Sequence, residues 1–519
     1  MIAAETDLLA LVRRGAVRRP DAEFLRCGAE AVSGRQFLAR VEAAAAGLRA
    51  IGLRPGDRVA VFVNRSVDEA VWILAAASAG GVAVPVHGRL KDQQVAHILA
   101  DCGPFAVVAS ALRLLALAEP VATLAGQRVL RVGDAPLPLA SEPAPRADAP
   151  LAALATNSPA ILLYTSGSTG LAKGIVQSHR NLALGAAIVS GYLGLAADDV
   201  VLALLPFSFD YGLNQLLGAL HVGAGVVAAD HLGVGELATL LRAHRPTTLA
   251  GVPSLWHEIA VGFVAGALTQ DDGRSLRRMT NSGASLRPAD GAAVRAAWPH
   301  VQVFAMYGLT EAFRSAVLPP AEYDAHPTSF GRAIPGVELL VVDPATGAPL
   351  LGEATGELVH AGALVALGYW RRPEAQAERF RPDPRGGGAP VVFSGDIVRR
   401  DADGRLYFVA RRDRLLKVAG HRISPDEVAA AVAGMAGVGE VAVFGDDASA
   451  DGHRIVLCVA GDPADAGIVE QVRRRCRARL PSYMQPAVVR VLAALPHNPN
   501  GKIDEGALRA MLPPWTSDR

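Results

Sequence analysis

Lysine is nearly absent from this chain: Lys91, Lys173, Lys417 and Lys502 are four residues among 51 cationic side chains. A sequence that writes almost every cation as arginine keeps lysine where a compact ammonium is needed, because the planar guanidinium fork does not replace it. Cysteine is scarce as well. Cys27, Cys102, Cys458 and Cys476 share neither close pairing nor metal-ligand spacing, which argues against a disulfide framework or zinc site and for reduced thiols in a cytoplasmic protein. Aromatic residues make up 5% of 519 positions and the net charge is +1, so the chain offers neither the basic field nor the interleaved aromatics of a nucleic-acid binder. Long apolar runs are missing too. The most apolar stretch, Val71 to Val86, is broken by Gly80, Gly81 and Pro85 and is shorter than the roughly 20 residues that span a bilayer. The first residues, Met1-Ile-Ala-Ala-Glu-Thr-Asp7, have no basic start or apolar core of a signal peptide. The sequence predicts no membrane segment.

Three of the four lysines fall in glycine-bearing segments. Thr165-Ser166-Gly167-Ser168-Thr169-Gly170-Leu-Ala-Lys173-Gly174 follows the apolar run Ala160–Tyr164; the other two are Asp413-Arg-Leu-Leu-Lys417-Val-Ala-Gly420-His-Arg422 and Asn498-Pro-Asn-Gly-Lys502-Ile-Asp504. The first suits a polyphosphate: glycines let backbone N–H groups approach phosphate oxygens, hydroxyls add donors and the lysine supplies charge. Its spacing is not that of a P-loop, since Gly174 follows Lys173 where Ser or Thr is required. A flexible surface turn is the alternative for this segment alone.

At 519 residues the chain exceeds what one core supports, and at least two domains are expected. Alanine-rich helical patterns (Gln36–Ile51, Ser66–Ala79, Leu90–Asp101) alternate with β-branched runs (Arg58–Val63, Gly81–Val86), the pattern of α/β layers with largely parallel strands. Gly133–Pro150, with five prolines, reads as a surface loop. Near Arg412–Asp413 a strand-like Arg405–Val409 runs into a charged turn. Beyond it, helical Ser424–Val432 and Ala466–Leu480 and strand-like Val438–Phe444, Arg454–Ala460 and Ala487–Val491 suggest a small α+β domain. The expectation is a large N-terminal domain of layered α/β subdomains over 1–412 and a small C-terminal domain over 413–519.

The glycine-lysine loop resembles the phosphate loop of the adenylate-forming superfamily, which contains acyl-CoA synthetases, amino-acid adenylation domains and luciferases. Further segments match in that family's order. They are Met306-Tyr-Gly-Leu-Thr-Glu311, Gly356-Glu-Leu358, Gly368-Tyr-Trp370, Phe393-Ser-Gly-Asp396, the stretch from Arg411 through Arg422 to Glu427, and Pro499-Asn-Gly-Lys502. The resemblance implies a mobile C-terminal domain and an active site in the cleft. Activation joins two anions, a carboxylate and the α-phosphate of ATP, so cations and oriented donors must hold the charge. By resemblance Lys502 bridges carboxylate and α-phosphate, Thr310 donates to a phosphate oxygen, and Glu311 helps bind Mg²⁺. Tyr307 stacks on adenine against the backbone of Gly283-Ala284-Ser285, and Asp396 and Arg411 reach the ribose. The C-terminal domain is expected to turn about Asp413, with Lys417 and Arg422 exchanging partners and Gly420 leaving room for pantetheine. Each residue has an ordinary alternative: Glu311 could cap a helix, Asp396 close an Asx turn, Tyr307 fill core, and Gly420 sit in a turn.

The chain departs from the usual motifs at Ala172, Ala410 and Ser394, none of which removes a charge. The acid pocket is ambiguous. Phe209 stands where acyl-CoA synthetases carry a gating histidine, and Asp210 resembles the aspartate with which amino-acid adenylation domains bind an ammonium; Tyr211, Gly212 and Asn214 look more like the synthetases. Arg314 either meets a second carboxylate or another polar group on the substrate or pairs with Asp210. Thr280, Ser282, Met306, Gly308 and Ser315 are expected to line the rest, which favours a small polar acid over a long fatty chain, with an amino acid slightly preferred. Three functions stay open. The leading one is adenylation followed by transfer to the phosphopantetheine of CoA or of a carrier protein in trans, since the chain ends at Pro513–Arg519 with no carrier-like serine motif. The others are transfer to a nitrogen or oxygen nucleophile, and a non-catalytic or oxygen-dependent relative.

Overall fold

The computed structural model describes residues 7–90, 92–116, 128–132, 157–165, 172–231, 233–412, 416–418, 421–449, 452–465, 467–480, 482–499 and 501–512. The chain forms two compact units, one of residues 1–340 and 359–393, the other of 341–358 and 394–519. The turn expected to bound the domains, at 412–413, lies within the second unit, because residues 341–358 and 394–412 pack with the C-terminal segment. Among the described residues no helix is long and apolar enough to cross a membrane. The proline-rich segment 133–150 lies outside the described residues.

The first unit is built on two sheets. In one, Arg58–Phe62 pairs in parallel with Val82–Pro85 and with Ala106–Ala109, and the latter with Arg128–Arg131. The inner strands Arg58–Phe62, Val82–Pro85 and Ala106–Ala109 are apolar almost throughout because both faces are covered; Val59, Ala60, Val61 and Phe62 are all buried. Pro159–Thr165 joins beside Val82–Pro85 and turns back antiparallel into Lys173–Ser178, with Thr165 opposite Lys173. Gly368–Tyr369 closes that edge. In the other sheet, Glu23–Cys27, Gly225–Ala228, Val200–Ala203, Thr248–Gly251, Arg278–Asn281 and Gln302–Tyr307 pair in parallel in that order, with antiparallel strands at both ends.

Helices Val67–Ser78, His179–Leu193 and Asp210–Val222 share one buried cluster with strands of both sheets. Local signals set their ends. Ser66 accepts from Glu69 N, with Asp68 and Glu69 in the positive first turn. Gly223, at φ +78°, ends Asp210–Val222 in the left-handed conformation that glycine adopts without strain.

In the second unit Asp396–Arg400 pairs antiparallel with Leu406–Arg411. Further on, Gly452–Ala460 is flanked by Val441–Ser449 and by a parallel Val488–Leu492. Pro425–Val432 and Gly467–Arg479 cover one face of this sheet and Glu505–Met511 the other. Val441–Ser449 begins three residues later than the apolar run suggests, because Gly437 makes a left-handed turn and Val438 N bonds Met435 O.

His179 and His360 are completely buried in the first unit. Burial pushes their imidazoles down to about 4 and about 3, and Leu8 N donates to His179 Nδ1 at 3.3 Å, a bond that a proton on that nitrogen would destroy. In the unfolded chain both protonate near 6.5. Folded values below the unfolded one mean that stability is complete above pH 6.5 and is lost as pH falls toward 4. The urea midpoint should drop through that window, and His179→Gln should lower the slope by up to one proton, about 1.4 kcal/mol per pH unit. An unchanged slope would show His179 to be charged in the native protein.

Candidate active site

Parallel pairing places the loops after Val200–Ala203, Thr248–Gly251, Arg278–Asn281 and Gln302–Tyr307 along one edge of the second sheet, the edge where open α/β sheets bind ligands. It carries Leu205–Asp210, Ser282–Ser285 and Tyr307–Glu311. Asn281 Nδ2 donates to Ala284 O at 3.0 Å and Gly283 sits at φ +91°, which fixes the Gly283–Ser285 turn. Tyr307 packs its ring on Phe330 with centroids 4.5 Å apart and on His360 at 5.7 Å. Ser315 N donates to Tyr307 O at 3.0 Å, while Ser315 Oγ bonds His360 Nδ1 at 2.7 Å.

Thr310 is buried, and its carbonyl accepts from buried Gln177. Glu311 Oε1 accepts from Tyr369 OH at 2.6 Å, and burial together with that carboxylate holds the Tyr369 phenol far above its ordinary value, so it stays a donor. Lys173 Nζ lies 5.8 Å from the Tyr369 ring centroid. The lysine, the phenol and the carboxylate are thus assembled by the short strand Gly368–Tyr369 pairing with Lys173–Ser178. Tyr369 and Gln177 were not anticipated; the block Gly368-Tyr-Trp370 was the available signal for the first. Ser166, Gly167, Ser168, Thr169 and Gly170 lie outside the described residues, and Thr165 ends the strand before them.

Asp210 opens helix Asp210–Val222, where a carboxylate meets the positive helix end. It is 3% exposed, and Arg314, 2% exposed, brings Nη1 to 3.8 Å from its Oδ2. The structure therefore pairs the two residues. Arg314 Nη1 also donates to Ser282 Oγ at 3.4 Å, and its guanidinium stacks 4.5 Å above the Tyr211 ring. Tyr211 OH bonds Thr280 Oγ1, Tyr192 OH donates to Met306 Sδ, and Phe209 meets the Tyr211 ring edge-on. A partly open cavity of about 20 Å³ beside Tyr211 is lined by Asn214, Gln215, Thr248 and Thr280 and by the apolar Val189, Leu193, Leu195, Val201, Ala250 and Met306. Gly308 permits this packing, since a Cβ there would sit 2.9 Å from Arg314 Nη1.

Two further residues shape the pocket from outside it. Phe313, at φ +54°, is a bulky residue held in a conformation that costs about 1–3 kcal/mol, and its fully buried ring lies against Gly185. Arg65 Nη2 donates to the carbonyls of Ala203 and Leu205, and its guanidinium stacks 4.2 Å above Phe207. It holds the loop that delivers Asp210. Neither residue carried a sequence signal.

In the second unit Asp396 faces Arg411 across the antiparallel ladder, with Arg411 Nε 3.1 Å from Asp396 Oδ1. Buried Glu357 organises this turn: Oε1 accepts from Gly395 N at 3.0 Å and Oε2 from Arg412 Nη1 at 2.7 Å. Glu357 lies in the motif Gly356-Glu-Leu358 but was given no role. Lys502 is exposed in a tight turn, its N–H donating to Asn498 Oδ1 at 3.1 Å. Lys417 and Arg422 are backbone register partners in paired antiparallel strands; Asp413 and Gly420 lie outside the described residues.

The model of the AMP-binding enzyme family matches residues 12–370, and that of the AMP-binding enzyme C-terminal domain matches 427–502. The chain is 33% identical over 506 residues to an L-proline–[L-prolyl-carrier protein] ligase of Streptomyces coelicolor, covering 94% of this chain and 93% of that one. It is 29% identical to surfactin synthase subunit 2 of Bacillus subtilis, covering 97% of this chain but only 14% of that much longer protein. Among solved structures, ATP-bound MatB from Rhodopseudomonas palustris superposes with a TM-score of 0.84 at 26% identity over 98% of both chains. A benzoate CoA ligase from Burkholderia xenovorans gives 0.84 at 25% identity, over 97% of this chain and 99% of that one.

A methyl group added at Gly185 would lie 2.5 Å from the Phe313 ring. Gly185→Ala should therefore displace Phe313 and with it Arg314, at a cost of about 1–3 kcal/mol in stability, and should raise KM for the acid far more than for ATP. Gly191→Ala, in the same helix with open space around it, is the control and should gain about 0.5–1 kcal/mol. Equal effects of the two changes on acid KM would remove Phe313 from the pocket's support.

Proposed function

The chain belongs to the AMP-binding enzyme family of adenylate-forming ligases, and from that premise we propose that it activates a small polar carboxylic acid as its acyl-adenylate and passes the acyl group to the phosphopantetheine thiol of a carrier protein in trans or of CoA. The buried Asp210–Arg314 pair, stacked on Tyr211, carries the choice of acid: a long hydrocarbon against it would leave both charged groups without water or a polar partner. The near full-length match to a carrier-protein ligase supports the acceptor.

In the first half-reaction a carboxylate oxygen attacks the α-phosphorus, forming an acyl–O–P bond and breaking the bond to pyrophosphate. The triphosphate lies along the loop between Thr165 and Lys173, with Thr310 as a donor. Lys502 lies between carboxylate and α-phosphate and offsets the charge that grows as they join. Glu311 offers one carboxylate, oriented by Tyr369, which fits Mg²⁺ because that ion takes most of its ligands from phosphates and water. Mg²⁺ there would screen the triphosphate and favour departure of pyrophosphate. Tyr307 and the Gly283–Ser285 backbone receive adenine; Asp396, beside Arg411, accepts from the ribose hydroxyls. In the second half-reaction the thiol gives up its proton to water, its sulfur attacks the carbonyl carbon, a C–S bond forms and AMP leaves with the C–O bonding pair. The C-terminal segment turns about Asp413 between the two steps, Lys417 and Arg422 change partners, and Gly420 leaves room for the pantetheine arm.

Lys502→Ala should lower acid-dependent pyrophosphate exchange by about 10²–10³-fold yet spare thioester formation from a supplied acyl-adenylate. Asp413→Pro and Gly420→Leu should do the reverse. Mass spectrometry of CoA and of loaded carrier proteins reads the second step. An equal loss of both half-reactions in Lys502→Ala would refute the division of labour.

A further inference from the structure

Beside Tyr211 several buried hydrogen-bond donors are left unmade. Arg314 Nε and Nη2 and Asn214 Nδ2 are buried and make no hydrogen bond among the described residues. Three acceptors around them are engaged, Thr280 Oγ1 with Tyr211 OH, Met306 Sδ with Tyr192 OH, and Ser282 Oγ with Arg314 Nη1, and Gln215 Oε1 on the cavity wall makes no hydrogen bond among the described residues. Stacking on Tyr211 eases the burial of the guanidinium charge but gives its N–H groups nothing to bond. Buried donors left unmade are costly, so a site that keeps several of them is built for a partner that arrives with oxygen lone pairs.

Charge narrows the class. Asp210 lies 3.8 Å from Arg314, both side chains under 5% exposed, so the pair is already close to neutral. A second carboxylate on the ligand would add an unbalanced negative charge beside Asp210, and a lone ammonium an unbalanced positive one beside Arg314. An uncharged oxygen satisfies the donors and leaves the balance intact. Size narrows it again, because the cavity that Asn214 and Tyr211 line is about 20 Å³, room for a group the size of one water.

We propose that the acid activated by this protein is short and carries, a few bonds beyond its reacting carboxylate, an uncharged oxygen acceptor, a carbonyl or hydroxyl, received by Arg314 and Asn214. The proposal rests on the ligase reading above and adds the substrate class to it.

The test is pyrophosphate exchange by the full-length protein with pentanoate, its oxo and hydroxy derivatives bearing oxygen on the third, fourth or fifth carbon, glutarate and 2-aminopentanoate. At least one oxo or hydroxy acid should exceed pentanoate, glutarate and 2-aminopentanoate in kcat/KM by about 10²-fold, and that ratio should fall toward unity in Arg314→Met. Asn214→Leu, a milder change at the cavity wall, should lower the same ratio at least tenfold and gives the result if Arg314→Met does not fold. Pentanoate matching its oxygenated derivatives would overturn the proposal, as would a preference for glutarate or 2-aminopentanoate. In each of those cases acid-dependent exchange has still occurred and the ligase reading stands. If no acid in the panel supported exchange, both would fall.

Discussion

Parallel pairing of Val200–Ala203, Thr248–Gly251, Arg278–Asn281 and Gln302–Tyr307 is the constraint on which the site in the first unit depends. Strands running the same way must end on the same side, so four loops from distant parts of the chain are delivered to one edge. A parallel sheet also has to be covered on both faces. The helices that cover this one, Asp210–Val222 among them, therefore begin on the edge where the strands finish, and their positive ends point at whatever binds there. Asp210 is a functional candidate because of that geometry: it is the first residue of a helix that the fold had to place.

The cost of such an edge is buried polarity. Arg314 and Asp210 are hidden from water as an ion pair 3.8 Å apart, and one removed from the other would leave an uncompensated charge. The surroundings are correspondingly firm. Arg65 grips the carbonyls before Asp210, a Cβ on Gly212 would strike the Pro206 carbonyl at 2.1 Å, and Phe313 accepts a left-handed backbone so that its ring can lodge against Gly185. Strain at Phe313 and unmade donors on Arg314 adjoin in the sequence and share this pocket, as expected where binding rather than stability set the residue choice. In the second unit one carboxylate, Glu357, ties the Gly395–Asp396 turn to Arg412. The residue expected at the ribose and the arginine preceding the expected pivot therefore share a buried support.

Much of this was legible before any coordinates. Short β-branched runs alternating with alanine-rich helices gave parallel α/β layers, Ser66 marked a helix start, and the four lysines singled out segments that chemistry would need. Ordered motifs pointed to the family and to Thr310, Glu311, Asp396 and Lys502. These are local properties, written in neighbouring residues, because a helix cap, a strand or a glycine turn is decided within a few positions. The partners of those residues were not legible. Glu311 meets Tyr369, Glu357 meets Arg412, Arg65 reaches Ala203 and Leu205, and Arg314 lies against Asp210. Each of these contacts joins residues more than fifty positions apart, brought together by strand order and crossovers rather than by any propensity of the residues themselves. The sequence by itself determined the elements and the charges they carry. Only the tertiary structure decided which charge meets which, because burial sets the worth of a guanidinium or a carboxylate, and burial belongs to the packed sheet and its helices rather than to any local stretch of chain.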